Sequence, residues 1–232
     1  MNNNEDIDWP TVGTYSTFKR ERRAGPDRMR MLHWNVSGAT KPDKLDMMWT
    51  ALNGLDLNCI ILTETRWTSA MRRGMLLRPE LEGRYVLMTA EADGAEPERE
   101  EPNYHGVAVL LKAEWEKYIQ QVRRVDRRMV GVRLAFRGRG LLIVGLLYPT
   151  GQGRSDPGAA REMTTELRRW LDEAQKVNAE VVIGGDFNAV SQPWMDRQGS
   201  QERRVESPLL GHLLNSRGMV DIWRREYPNE YQ

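Results

Sequence analysis

Eight short apolar runs, separated by polar or glycine-bearing turns, dictate most of what this chain can become. In order they read RMLHWNV, NCIILTE, YVLMTA, GVAVLLK, KYIQQVRRV, MVGVRLAF, LLIVGLLY and EVVIGGDFNAV. Runs of this length, rich in Val, Ile, Leu and aromatic residues and bounded by turn residues, are strands. Between some of them the period changes to that of a helix. PDKLDMMWTALNGL places Leu45, Met48, Trp49 and Leu52 on one face, with Pro42 near its start and Gly54 near its end. Beyond PTGQGRSDPGAAR, Met163, Leu167, Trp170 and Leu171 share a face. ESPLLGHLLNSRG reads as a short helix, and MVDIWRREYP closes the chain. The expected class is therefore α/β (α+β), with one mixed sheet or two, flanked by helices. From GVAVLLK to LLIVGLLY the pattern reads as a meander, which disfavours a doubly wound parallel sheet.

The folded part is expected to span residues 29–232. Residues 1–28 lack hydrophobic periodicity and carry the basic run KRERRAGPDR; they read as a mobile arm, a solvated tail in preference to a nuclear-targeting or nucleic-acid-contacting segment. EADGAEPEREEPN, residues 91–103, reads as a mobile acidic loop. The single cysteine, Cys59, lies inside NCIIL, so neither a disulfide framework nor a zinc cluster can be built; it reads as a small buried hydrophobe and permits a reducing, intracellular setting. No apolar run is long enough for a membrane helix, and MNNNEDIDWP holds no signal-peptide core. With 34 Lys+Arg against 33 Asp+Glu, net charge names no partner, and only the distribution of charge can.

Four strand ends carry polar groups. HWNV ends near Asn35, LTETR offers Glu64 and Arg66, LLYPTG offers Tyr148, and GGDFN offers Asp186 and Asn188. Each alone reads as a turn or packing residue, although Glu64 follows CIIL and a carboxylate there needs a partner or a cation. Together they hold the types a metal-dependent phosphate chemistry needs. Carboxylates suit a hard cation, an Asp can orient or deprotonate water, and Asn and Tyr can donate to phosphate oxygens. No Walker loop and no Ser-His-Asp set is visible.

The ordered series WNV, LTETRW, GVAVLL, LLYPTG, IGGDFNAV and GMVDIWRREYP resembles the endonuclease/exonuclease/phosphatase superfamily, nearest in flavour to the apurinic-type endonuclease domains of non-LTR (LINE-like) retrotransposons. The resemblance covers residues 29–232. It implies a four-layer sandwich of two mixed β-sheets flanked by helices, and a Mg²⁺- or Mn²⁺-dependent phosphodiesterase nicking DNA. By motif match Glu64 would be the main metal ligand, with Asn35 helping at metal and phosphate. Tyr148 would contact the phosphate, Asp186 would activate water, Asn188 would hold the phosphate, and Arg66 would lie near the substrate. A downstream reverse transcriptase would be the partner in a full-length element, and no membrane is implicated.

The departures are also expectations. Ser37 stands where many relatives have an acidic residue, and the turn after Tyr148 is shorter than in many of them. Relatives continue past DIWRREYP with further strands and a final Asp-His pair, whereas this sequence stops at Gln232. A fragment lacking that pair would be a catalytically impaired remnant or a nucleic-acid-binding piece, with an exposed sheet edge, low stability or self-association. A phosphatase or lipid phosphodiesterase of the same superfamily is the other alternative. Among the histidines His33, His105 and His212 a structural role is preferred for each, with His105 the one best placed to serve otherwise. Seven arginines in QQVRRVDRRMVGVRLAFRGRG fit either a solvated strand face or contact with a phosphate backbone. Arg197, Arg203 and Arg204 could add to such contact, and for Trp67 and Trp194 packing is preferred over contact with a base. The glycines of GGDFN would let backbone approach phosphate.

Overall fold

The computed structural model describes residues 29–76, 78, 83–90, 105–150, 156–189 and 208–229. The N-terminal arm, the acidic loop 91–103, Trp194, Arg197, Arg203 and Arg204 lie outside the described residues. The chain divides into two compact units, one of the described residues up to Leu147 together with Leu171–Asp186, the other of Tyr148–Trp170 with the described residues from Phe187 onward.

The first unit holds the eight strands found among the described residues. β1 (Met31–Asn35), β2 (Cys59–Thr63), β3 (Tyr85–Thr89) and β4 (Val107–Lys112) form one sheet in the order β1-β2-β4-β3. β5 (Ile119–Val125), β6 (Met129–Phe136), β7 (Arg139–Leu147) and β8 (Ala179–Asp186) form the other, in the order β5-β6-β7-β8. Each sheet is mixed: β1-β2 and β7-β8 are parallel, every other pair antiparallel. A parallel pair needs a crossover. The first is made by helix α1 (Pro42–Asn53) and the second by helix α3 (Pro157–Lys176), with α2 (Ser69–Leu76) between β2 and β3.

Alternation along the strands builds the layers. Cys59 and Ile61 of β2 point inward with Val107, Val109 and Leu111 of β4 and meet Val130, Val132, Leu134 and Ile143 of the second sheet. Ile60 and Leu62 point outward with Ala108 and Leu110, against Leu45, Met48, Trp49 and Leu52 of α1. These are the four residues whose spacing predicts that helix, and all are buried. Covered on both faces, β2 is apolar throughout. In the second sheet Val122 faces the core, so Arg123 faces outward, where it pairs with Glu173 in the last turns of α3.

The sheets meet through a socket. Gly145 of β7 and Gly184 of β8 are register partners. A Cβ at Gly184 would lie 2.8 Å from Ile61 Cδ1, and one at Gly145 3.1 Å from Ile61 Cγ2. The missing side chains make room for Ile61. Ile61→Ala is expected to cost about 3 kcal/mol, because stiff paired strands cannot collapse into the void; the urea midpoint of unfolding measures it. The glycines of IGGD therefore serve sheet packing.

Two further expectations change. The meander is real only for β5-β6-β7. β4 lies in the other sheet, because a 3-10 helix, Ala113–Tyr118, carries the chain from one sheet to the next. β8, expected as a buried strand, is half-buried along its whole length, because it is an edge strand of the described sheet.

In the second unit, α3 begins on a side-chain cap, Asp156 Oδ1 accepting from Ala159 N at 3.0 Å, with Pro157 at the first helical position. Met163, Leu167 and Trp170 are buried there, and Leu171 is buried in the first unit, so the predicted apolar face holds. Helices α4 (Pro208–Ser216) and α5 (Ile222–Glu226) follow, α5 capped by Asp221, which accepts from Arg224 N at 3.1 Å. Among the described residues no helix is long and apolar enough to cross a membrane.

Candidate active site

Strands of a parallel pair run the same way, so their C-terminal ends arrive together. β1 ends at Asn35, β2 runs into Glu64, and β8 ends at Asp186. The three side chains meet. Asn35 Nδ2 donates to Glu64 Oε1 at 2.9 Å and to Asp186 Oδ2 at 3.0 Å. One amide nitrogen thus ties a carboxylate of the first sheet to a carboxylate of the second. The amide oxygen is turned the other way, accepting from Ser37 N at 2.9 Å. That set of partners fixes the amide orientation, since a flipped Asn35 would face two carboxylates with an oxygen.

Asn35→Asp tests the bridge. It would set three carboxylates within hydrogen-bond reach, so one must keep a proton, and its pKa in the fold rises above its unfolded value. A raised pKa gives stability that is complete at low pH and lost as pH rises. The variant is expected to lose about 2 kcal/mol at neutral pH and to regain stability as pH falls toward 5, read from melting temperatures across pH.

The turn after β2 is strained in a directed way. Glu64 and Arg66 both have left-handed backbone, φ 54° for each, with buried Thr65 between them. Backbone bonds hold it: Gly38 N to Glu64 O at 2.8 Å, Arg66 N to His105 O at 3.0 Å, and Thr65 N to Gly106 O at 3.3 Å. Gly106, φ 120°, leaves room for this, because a Cβ there would lie 2.3 Å from Thr65 Oγ1. Arg66 Nη2 donates back to Glu64 Oε2 at 2.9 Å. Both Glu64 oxygens thus accept from neighbours.

Two of the histidines have protein partners. His33 Nε2 lies 3.0 Å from Thr63 Oγ1. Desolvation holds its imidazole below the ordinary range, partly offset by the Asp186 carboxylate, so it is neutral at pH 7. His105 Nε2 lies 2.7 Å from Arg128 Nη2, and because arginine only donates, this nitrogen accepts and the ring keeps its proton on Nδ1. His105 thus supports the buried Arg128 and, through its carbonyl, the Arg66 turn. His212 sits in α4.

Tyr148 and Asn188 belong to the second unit. Tyr148, the residue after Leu147, is buried, with its hydroxyl 3.2 Å from Thr164 Oγ1. Thr164 gives its own proton to Ala160 O at 2.7 Å, so the tyrosine is the donor to the threonine. Asn188, φ 45°, donates from Nδ2 to the Tyr148 carbonyl at 2.7 Å. The structure therefore brings Asn35, Glu64, Arg66 and Asp186 together in one unit, and links Tyr148 with Asn188 in the other.

The arginine hairpin is largely engaged within the protein. Arg123 pairs with Glu173 and Arg139 with Glu180; Arg124 donates to Thr89 O at 2.9 Å, and Arg128 is held by His105. These partners lie far along the chain, which is why the run reads as a free basic strip in sequence. Trp67 is buried and donates to Ala39 O at 2.8 Å, the packing role preferred for it.

Among the described residues no three His, Cys, Asp or Glu side chains converge as a metal cluster. The Glu64 and Asp186 carboxylates are nevertheless of the type a hard cation takes when it keeps several waters and shares phosphate oxygens, whereas the Asn35 amide turns its nitrogen, and not its oxygen, toward them.

A family model described as the Endonuclease/Exonuclease/phosphatase family matches residues 32–230. Three solved structures share the architecture. The AP endonuclease LMAP from Leishmania major superposes with a TM-score of 0.67 at 14% identity, covering 98% of this chain and 76% of that one. The APE2 catalytic domain of Xenopus laevis gives 0.59 at 18% identity, covering 86% and 73%. A humanized D. rerio TDP2 carrying 14 mutations gives 0.50 at 15%, covering 84% and 71%. A search of curated proteins finds no match.

Proposed function

The chain belongs to the endonuclease/exonuclease/phosphatase family, and from that premise we propose that it is a Mg²⁺- or Mn²⁺-dependent phosphodiesterase that nicks DNA. The observation that carries this reading is the Glu64–Asn35–Asp186 bridge, which places two carboxylates with different neighbours at the meeting of two sheets.

In this reading Glu64, with Asp186 beside it, would hold the cation. A cation held there would supply polarisation of the phosphate and stabilisation of the leaving oxygen. Asn35 fixes the spacing of the two carboxylates, so neither must be ordered when substrate arrives. Asp186 would orient an attacking water and take its proton as the water oxygen bonds to phosphorus and the sugar oxygen leaves. Arg66 meets the phosphate. The motif match gives Tyr148 and Asn188 phosphate-binding roles, for which the tyrosine hydroxyl must exchange its bond to Thr164. The likeness to two AP endonucleases supports DNA as the substrate, and the order of the sequence motifs supports a retroelement-type nicking enzyme working with a reverse transcriptase.

The test is nicking of supercoiled plasmid with Mg²⁺, with and without chelator, by the protein and by Glu64→Ala and Asp186→Ala. Nicking that needs the cation and is lost in both variants is expected. Nicking that survives both substitutions overturns the site. Hydrolysis of a phosphomonoester in place of nicking would favour a phosphatase.

A further inference from the structure

We infer that Arg66 is an exchangeable counter-ion. It caps the Glu64 carboxylate until a divalent cation takes that place, and then moves its guanidinium to a phosphate oxygen of the substrate, so that cation and substrate bind cooperatively. The inference rests on the reading of Glu64 as the cation's ligand.

Three observations carry it. First, Arg66 and the cation need the same atom. Arg66 Nη2 is 2.9 Å from Glu64 Oε2, while Oε1 accepts from Asn35 at 2.9 Å, so a cation arriving at Glu64 meets a guanidinium at contact distance. A guanidinium and a divalent cation compete for the same carboxylate edge, and their like charges oppose sharing it.

Second, the turn aims both side chains at the same place. With Thr65 buried and Glu64 and Arg66 both in left-handed backbone, the two residues flanking the threonine turn their side chains toward each other. The Arg66 stem lies across Gly38, whose Cβ, were there one, would be 3.0 Å from Arg66 Cδ. Backbone anchors at Gly38 and His105 hold the turn, so the guanidinium can leave without moving the Glu64 backbone.

Third, the two partners differ in exposure. The Arg66 side chain is 37% exposed, Glu64 25%. The arginine side chain is the more exposed to solvent, and the glutamate is tied to Asn35. A planar guanidinium released from a carboxylate is well matched to a phosphodiester, which it can meet with two donors. The exchange thus couples two events: the cation frees Arg66, and a phosphate gives Arg66 its new partner.

The experiment is calorimetric titration of Mn²⁺ into the full chain, alone and with a short phosphorothioate DNA duplex present. For the protein itself, the duplex is expected to tighten Mn²⁺ binding about tenfold. Arg66→Gln should bind Mn²⁺ about tenfold more tightly in the absence of DNA, and the duplex should add little. Arg66→Lys, which restores the charge, should return the weaker binding. Equal melting temperatures for the Arg66 variants would show that the turn is intact. If Arg66→Gln binds Mn²⁺ no more tightly than the parent, the exchange is wrong. Glu64→Gln separates the two failures. If it loses Mn²⁺ binding while Arg66→Gln gains nothing, only the exchange falls. If it binds Mn²⁺ like the parent, the assignment of Glu64 falls as well.

Discussion

Glu64→Gln is expected to slow cation-dependent DNA nicking by about a thousandfold, since the cation's contribution amounts to several kcal/mol. The substitution keeps the size of the side chain and leaves an oxygen for Asn35. What it removes is the negative charge that a hard cation requires. The fold should barely notice. The ion pair with Arg66 is partly exposed, and such pairs contribute about 0–1 kcal/mol. Activity and melting temperature should therefore separate cleanly. A variant that nicks within threefold of the parent would remove Glu64 from the chemistry, whatever its place in the fold.

Gly185→Ala should do the opposite and strike the fold first. Gly185 has φ +147°, which an L-residue rarely adopts, and a Cβ there would sit 2.0 Å from the carbonyl oxygen of Leu146 and 2.8 Å from its nitrogen. Leu146 is its register partner across the β7-β8 pair. Backbone cannot yield as a flexible side chain can, so one methyl group must break the parallel ladder or twist the strand end. The expected cost is about 5 kcal/mol, a melting point lower by roughly 10 °C or more for a chain of this size. Because Asp186 is the next residue, any protein that does fold should also nick poorly. Gly211→Ala is the control. It lies within α4 with open space around it, and it should leave the melting temperature unchanged or raise it slightly. If Gly185→Ala melts like the parent, the close strand approach does not govern stability.

Local pattern made much of this legible. The i, i+3, i+4, i+7 spacing of Leu45, Met48, Trp49 and Leu52 could only be a helix with one buried face, and the apolar runs could only be strands. Helix α2 escaped because SAMRRGML is short and interrupted by Gly74. The assignment of β4 to one sheet and β5 to the other was not readable, because a turn signal marks a change of direction without saying which sheet receives the next strand. At the site, the residue types were visible and their partners were not. Asn35 suggests a phosphate or metal contact from its motif; that it spends its oxygen on Ser37 and its nitrogen on two carboxylates is a matter of three-dimensional neighbours. The arginine hairpin teaches the same lesson, since Glu173, Glu180 and His105 neutralise or support it from distant positions.

The amide of Asn35 also has a meaning for how the chain reaches this state. Its bond to Glu64 spans 29 residues and its bond to Asp186 spans 151. Loop closure alone makes the second more costly than the first, by about 1.5 kcal/mol. A partly folded chain with only the first sheet formed could hold the Asn35–Glu64 half of the bridge, while Asp186 would still be absent from it. The complete pair of carboxylates is thus among the last features to assemble, and a cation that needs both would stabilise only the finished sandwich. Nicking competence would then arise as a single late event in folding, with no half-active intermediate before it.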